Sequence, residues 1–192
     1  MSENRIRFAA FLLCTQVCAA SGPALAQQAP QSLPAGSFES YASEGVQVRV
    51  SDFSGMPVPR YSSLRYDKVN GRAGPSRDYP VQWMYERQGL PVIIVRESQD
   101  WRKIRDPLGD EVWVNKSQLA GARTVITTEE GAIRREASAK SAVAASFGAG
   151  AVLQLTECKG GWCRVEAEGR KGWALKSHLW GADPLPSAAP AN

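Results

Sequence analysis

The chain has little of what enzyme and metal sites require. Its 192 residues include one histidine, His178, and four cysteines. A zinc site takes about four ligands, and a cysteine nucleophile needs a histidine beside it as a general base. Cys163 and His178 are the only pair of this kind, and no nucleophile-elbow or phosphate-loop motif accompanies them. We therefore predict that the protein is not an enzyme and holds no metal and no cofactor.

Long apolar runs are also scarce. The one candidate, residues 8–20, follows Arg5 and Arg7 and precedes the small residues of Ala24-Leu25-Ala26. This order is typical of a secretory signal peptide, and the run is shorter than the roughly 20 residues of a membrane span. We predict a signal peptide over residues 1–26, cleaved after Ala26, a periplasmic or secreted location, and no integral membrane span after cleavage. An N-terminal membrane anchor is the alternative.

Neither sign of charge dominates the sequence. Lys and Arg number 23 against 19 Asp and Glu, the formal net charge is +4, and the two signs are interspersed. A protein that follows a nucleic-acid backbone carries blocks of basic residues, so this pattern argues against a nucleic-acid partner. It is compatible with a weak preference for an anionic polymer of the cell envelope.

Two cysteines remain outside the predicted signal peptide. Cys158 and Cys163 are separated by Lys-Gly-Gly-Trp, and a lone close pair in an oxidising compartment is typical of a disulfide. A zinc half-site would lack further ligands, and the spacing is not the Cys-x-x-Cys of redox proteins. We predict a structural disulfide that closes a small loop.

An internal repeat with a period of about 60 residues dominates the rest of the chain. The recurring positions are Trp113, Lys116, Ser117, Leu119 and Gly121 in the first copy and Trp173, Lys176, Ser177, Leu179 and Gly181 in the second. Arg72-x-x-x-Ser76 likewise recurs as Arg134-x-x-x-Ser138. Short apolar stretches separated by turn residues predict small barrels of short strands, and each Lys-Ser-x-Leu segment predicts a single 3₁₀ turn.

The predicted fold class is therefore all-β, with two tandem small β-barrels. The expected divisions are a signal peptide over residues 1–26, a flexible leader over 27–57, a first barrel over 58–121, a second barrel over 122–181 and a disordered tail over 182–192. The leader has one short strand candidate, the alternating valines at 46, 48 and 50.

The repeat resembles the bacterial SH3-like domains of secreted proteins, in the tandem form common in proteobacteria. The resemblance covers roughly residues 57–181 and rests on segments 56–61, 68–76, 89–92, 100–105 and 113–119. Gly71 stands where the family usually has an apolar residue, and Glu136-Ala137 replaces the Gly-Pro of the first copy. The resemblance implies two SH3-like barrels that bind peptidoglycan or make protein contacts in the periplasm.

Aromatic residues are the candidates for a binding surface. Four tryptophans recur in both copies, which places them in the core or at the seam between the barrels: Trp101, Trp113, Trp162 and Trp173. The predicted ligand groove consists of residues of the first copy: Tyr66, Arg72, Tyr79, Trp83 and Tyr85. Trp83 and Tyr85 would share one strand face. Rings beside an arginine suit a sugar, a proline-rich peptide or a carboxylate-bearing stem peptide, with ordinary packing as the alternative.

The predicted function is a non-enzymatic binding module for peptidoglycan or another cell-envelope component. The alternative is a protein–protein interaction adaptor in the periplasm, whose second barrel acts mainly as a structural partner. The expected partner is accordingly a cell-wall polymer or a periplasmic protein.

Overall fold

The computed structural model describes residues 47–185, which contain strands, 3₁₀ turns and loops but no α-helix. The predicted signal peptide, the leader up to residue 46 and the tail from residue 186 lie outside the described residues. Within residues 47–185 no helix is long and apolar enough to cross a membrane. The predicted all-β fold is confirmed.

The strands of the described range fall into a hairpin and two sheets. The hairpin and first sheet comprise β1 (Arg49–Val50), β2 (Pro57–Val58), β3 (Arg60–Leu64), β4 (Val69–Arg72), β5 (Val81–Tyr85), β6 (Pro91–Ser98), β7 (Trp101–Arg105), β8 (Glu111–Asn115) and β9 (Leu119–Ala120). The second sheet comprises β10 (Thr124–Thr127), β11 (Gly131–Arg134), β12 (Val143–Phe147), β13 (Val152–Lys159), β14 (Trp162–Ala167), β15 (Arg170–Leu175) and β16 (Leu179–Trp180).

The two repeats have the same topology. Barrel 1 has the strand order β5–β4–β8–β7–β6–β3–β9, and barrel 2 has the order β12–β11–β15–β14–β13–β10–β16. Every pairing is antiparallel, and each strand of barrel 2 stands seven strands after its counterpart in barrel 1. The tandem duplication predicted from the sequence is therefore present in the fold.

The register fixes which residues of the two barrels correspond. Trp101 pairs with Asn115 in barrel 1, and Trp162 pairs with Leu175 in barrel 2. The 3₁₀ turns predicted for the two Lys-Ser-x-Leu segments are confirmed at Lys116–Gln118 and Lys176–His178. Residues can thus be compared between the copies position by position.

Trp180 joins the two cores. It lies in β16 of barrel 2, is 8% exposed, and belongs to the core of barrel 1 together with Ile126 of β10. Its ring meets that of Tyr61 in β3 edge-on, with centroids 6.1 Å apart. The corresponding residue of barrel 1 is Ala120. Barrel 2 therefore contributes directly to the core of barrel 1.

Of the four recurring tryptophans, predicted for the core or the seam, one lies in the buried core. Trp113 is 9% exposed, whereas the other three are half-buried: Trp101, Trp162 and Trp173. Between the barrels the structure has Trp180 and two polar contacts. The Thr124 hydroxyl donates to the carbonyl oxygen of Gly89 at 2.7 Å, and Arg87 donates to the carbonyl oxygen of Gly150.

A short hairpin precedes barrel 1. Strands β1 and β2 pair with each other within the segment that the sequence assigns to a flexible leader and the start of the first barrel. The Ser51 hydroxyl donates to Glu97 Oε2 at 2.5 Å, which fastens the hairpin loop to β6. The end of the predicted leader therefore packs on barrel 1.

Candidate functional site

The loop between β4 and β5, residues 73–80, forms one wall of the candidate site. Arg72 Nη1 donates to the carbonyl oxygens of Arg77 at 3.0 Å and Tyr79 at 2.7 Å. In barrel 2 Arg134 Nη1 donates to the carbonyl oxygen of Ser141 at 2.7 Å in the same way. The recurrence of this arginine in the sequence is thus explained by loop bracing. Arg72, which we predicted to bind ligand, therefore braces this loop.

A small polar cleft lies against this loop, and we call it the loop groove. Its volume is about 110 Å³ and it is lined by Asn70, Arg72, Arg77, Trp101, Asn115, Ser117 and Gln118. Strands β4 and β8 supply the two asparagines, and the 3₁₀ turn supplies the serine and the glutamine. Asn115 Oδ1 accepts from the Ser117 backbone N–H at 3.1 Å, so the cap of the turn also sets the groove wall.

Arg77 is the exposed cation of the loop groove. Its side chain makes no hydrogen bond or ion pair with any residue of the described range 47–185. A guanidinium presents its donors in a planar fork that matches a carboxylate or a phosphate. The half-buried Trp101 contributes an aromatic ring to the same groove. The groove therefore combines an available cation, amides and an aromatic surface.

The predicted aromatic residues separate into exposed and buried ones. Trp83, Tyr66 and Tyr79 are 50%, 49% and 47% exposed. The Tyr79 ring lies on Gly74, where an added Cβ would come within 2.6 Å of ring carbons. None of the three lines the loop groove. They stay candidates for contact with a partner, but the structure does not gather them into one cleft.

The position of Tyr85 differs from the expectation. It is 5% exposed and belongs to the core of barrel 1, and its hydroxyl donates to Asp106 Oδ2 at 3.2 Å. Burial raises the pKa of Tyr85, and the neighbouring Asp106 raises it further. The Trp83 ring rests against Tyr85 at a centroid distance of 6.5 Å. Tyr85 therefore packs against Trp83. Because its own side chain is buried in the core, it exposes little surface to a ligand.

The equivalent positions of barrel 2 are less polar. Register places Ala132 at the position of Asn70 and Leu175 at the position of Asn115. In the second loop Ala139 stands where Arg77 stands in the first. These differences between the two copies are a signal from which the groove could have been predicted.

The predicted disulfide is confirmed. Cys158 and Cys163 are bonded and lie opposite each other in β13 and β14. Cys163 is buried, and because its sulfur is in the disulfide it offers no free thiol to His178. The imidazole Nε2 of His178 instead lies 3.5 Å from Glu129 Oε1. Across residues 47–185 no cluster of three or more His, Cys, Asp or Glu could hold a metal ion.

An ion pair replaces this disulfide in barrel 1. Glu97 and Arg102 face each other in β6 and β7 at the positions of Cys158 and Cys163. Arg102 Nε lies 3.0 Å from Glu97 Oε1, and Arg60 binds the same oxygen. Burial alone would raise the pKa of Glu97, but hydrogen bonds from Ser51, Ser54 and Arg60 and the charge of Arg60 outweigh it and hold the pKa below its ordinary value.

These features define a class of protein: a tandem pair of small antiparallel β-barrels of the SH3 type, with a polar groove on the first. The chain belongs to the bacterial SH3 domain family, whose model matches residues 65–121 and 127–181. No curated protein matches the chain.

Two solved structures from Trichomonas vaginalis show a weak likeness. NlpC2 is 15% identical with a TM-score of 0.30, and the match covers 64% of this chain and 48% of that one. NlpC1 is 15% identical with a TM-score of 0.30, and the match covers 78% and 51%. This chain therefore spans about half the length of each. A likeness of this strength carries no argument about activity.

Proposed function

We propose that the protein is a non-enzymatic binding module of the cell envelope that holds peptidoglycan, or another envelope component, through the loop groove of barrel 1. Bacterial SH3 domains often bind cell-wall components. The observation that carries the proposal is the difference between the copies: Arg77 and two asparagines line the groove of barrel 1, and two alanines and a leucine stand at the equivalent positions of barrel 2.

The chemistry of the groove suits a carboxylate on a stem peptide. Arg77 supplies the charge-assisted donors, and Asn70 and Gln118 can bond amide groups of a peptide or a sugar. A cleft of about 110 Å³ holds one functional group rather than a chain. Single-site binding is therefore weak, and retention on a polymer with many identical sites comes from rebinding and from the further contacts around the groove.

Co-sedimentation with purified sacculi tests the proposal. The mature protein should pellet with sacculi in the absence of any other protein. Arg77→Ala should lower the bound fraction about ten-fold or more, because a hydrogen bond to a charged group contributes about 1.5–3 kcal/mol. Arg164→Ala, which removes the same charge from an exposed position of β14, is the matched control and should leave the bound fraction unchanged. Equal pelleting of the Arg77 variant and the wild type would disprove the role of the groove.

The adaptor function is the second candidate, and the edge strand β5 favours it. Strand β5 ends the sheet of barrel 1, and Val81, Trp83 and Met84 are 45%, 50% and 52% exposed. An exposed apolar edge strand can pair with an extended segment of a partner. If this function is correct, the protein alone will not pellet with sacculi, and Trp83→Ala will abolish capture of a periplasmic partner while Arg77→Ala will not.

The proposed location rests on the disulfide and on the predicted signal peptide. Disulfides persist in oxidising compartments such as the periplasm, and Cys158–Cys163 is formed. Fractionation of producing cells, with N-terminal sequencing of the recovered protein, tests this. A mature N-terminus at Gln27 in the periplasmic or extracellular fraction supports export, and full-length protein in the cytoplasm contradicts it.

A further inference from the structure

A second cleft opens on barrel 1 beside the hairpin loop, and we call it the hairpin cleft. Its volume is about 300 Å³. Apolar side chains of Tyr61, Ile94 and Leu119 line it. Its basic lining residues are Arg60, Arg102 and Lys116. Arg60 and Arg102 are already paired with the buried Glu97, so Lys116 is the cation that an occupant can reach. The cleft therefore favours an occupant with a small apolar part and a negative charge.

The corresponding region of barrel 2 is filled by the chain itself. Ala182 follows β16, is 6% exposed, and belongs to the core of barrel 2 with Cys163 and Leu179. These two residues are the counterparts of Arg102 and Leu119, which line the hairpin cleft. The Ala182 carbonyl oxygen lies 3.9 Å from the Sγ of Cys158. An alanine of the chain thus covers the place that is open in barrel 1.

The residue after this alanine supplies a charge. The Asp183 carboxylate lies 2.7 Å from the ammonium group of Lys176. Lys176 begins the 3₁₀ turn of barrel 2 as Lys116 begins that of barrel 1. An alanine followed by an aspartate is therefore a segment that this site of the fold demonstrably accepts.

Barrel 1 cannot fill its own cleft in this way because the chain must continue into barrel 2. After Gly121 the backbone passes through Ala122, the counterpart of Ala182, which is exposed. The guanidinium of Arg123 lies over the Tyr61 ring at 3.7 Å from its centroid, and β10 begins at Thr124. The counterpart of the segment that closes the site in barrel 2 therefore leads away from the hairpin cleft in barrel 1.

We propose that the hairpin cleft binds an extended acidic peptide of another molecule, with a small apolar residue in the cleft and the next carboxylate on Lys116. Lys116 is 57% exposed and is paired with the 65% exposed Asp100 at 2.7 Å. An exposed ion pair contributes little free energy, so the incoming carboxylate can replace Asp100. The hairpin cleft and the loop groove have no lining residue in common.

The chain provides its own probe. The acetylated and amidated peptide Trp-Gly-Ala-Asp-Pro-Leu, identical to residues 180–185, is titrated into the intact isotope-labelled protein and followed by amide chemical shifts. The shifts should fall on Ile94, Lys116 and Leu119. Replacing the aspartate of the peptide by asparagine should weaken binding about three-fold, the effect of one exposed ion pair.

Three variants make the test specific. Lys116→Gln should weaken binding about three-fold, and Asp100→Asn should strengthen it by a similar factor because it frees Lys116. Lys140→Gln, in the exposed loop of barrel 2, is the matched control and should bind as the wild type does. A gain of affinity from Asp100→Asn cannot come from damage to the fold, so this variant separates binding from instability.

The proposal is overturned if the Lys116 variant and the wild type bind the peptide equally, if the asparagine peptide binds as well as the aspartate peptide, or if the shifts fall on barrel 2 or the loop groove alone. Arg77→Ala should leave peptide binding unchanged. Failure of this proposal and failure of the sacculus-binding function are therefore distinguishable.

Discussion

Gly71 and Val112 lie against each other in β4 and β8, and the pair is reversed in barrel 2. A Cβ added to Gly71 would come within 2.5 Å of Val112 Cγ2. In barrel 2 the counterparts are Ile133 and Gly172, and a Cβ on Gly172 would come within 2.7 Å of Ile133 Cγ2. The larger residue stands in β8 in barrel 1 and in β11, the counterpart of β4, in barrel 2. This explains why barrel 1 has Gly71 where the family usually has an apolar residue.

This reversal predicts a rescue. Gly71→Ile alone should destabilise the protein by about 1–3 kcal/mol because it overfills a packed position. Val112→Gly alone should also destabilise it, through a cavity and a flexible strand. The double variant gives barrel 1 the arrangement of barrel 2. Its loss of unfolding free energy should therefore be smaller than the sum of the losses of the two single variants. Urea unfolding of the four proteins of the cycle measures this, and strict additivity would contradict it.

The disulfide of barrel 2 should contribute measurably to stability. Replacing Cys158 and Cys163 by serine should lower the free energy of unfolding by about 2 kcal/mol, the chain-entropy value for a small loop. The measurement is urea unfolding of the variant and of the oxidised wild type. Addition of reductant should lower the stability of the wild type and leave that of the variant unchanged; a variant as stable as the oxidised wild type would refute the prediction.

Glu97 should make the protein sensitive to acid. Its pKa is lowered in the folded state from an ordinary value of 4.5, so the stability it contributes is present above about that pH and is lost as the pH falls through the folded pKa. Buried Asp106, whose pKa burial raises, acts in the opposite sense. The stability difference between wild type and Glu97→Gln should therefore shrink below pH 4.5. Thermal unfolding at several pH values measures it, and a constant difference would exclude this origin.

Trp180 should stabilise barrel 1 although it belongs to barrel 2. Trp180→Ala introduces the alanine that the first copy has at the equivalent position, Ala120. It should lower the free energy of unfolding by about 3–5 kcal/mol, as for other buried tryptophans. Hydrogen exchange of amides in β6 and β7 should accelerate together with those of barrel 2. Exchange that changes in barrel 2 alone would show that the two cores are energetically independent.

Local patterns in the sequence predict much of this fold. The duplicated Lys-Ser-x-Leu turns and the Cys158–Cys163 bond follow from spacing, because each involves residues near in the chain. The burial of Tyr85 does not, since it depends on how β5 meets the core and on Asp106 across the sheet. Register comparison would have identified Arg77 and Trp180, because each differs from an alanine at the same position in the other copy.

The hairpin cleft could not be predicted from either copy alone. It exists because Ala182 and Ala122 are equivalent in sequence but differ in burial, and that difference follows from the direction in which the chain leaves each barrel. Tertiary context of this kind is invisible to periodicity and spacing.

The insertion of Trp180 into the first core also bears on the order of events during synthesis. Barrel 1 is encoded first, yet one of its core side chains lies in the sixteenth strand, close to the end of the described chain. A ribosome must therefore deliver nearly all of the second copy before the first can complete its packing. Until then the core of barrel 1 lacks this side chain, so the first copy of the nascent polypeptide stays incompletely packed.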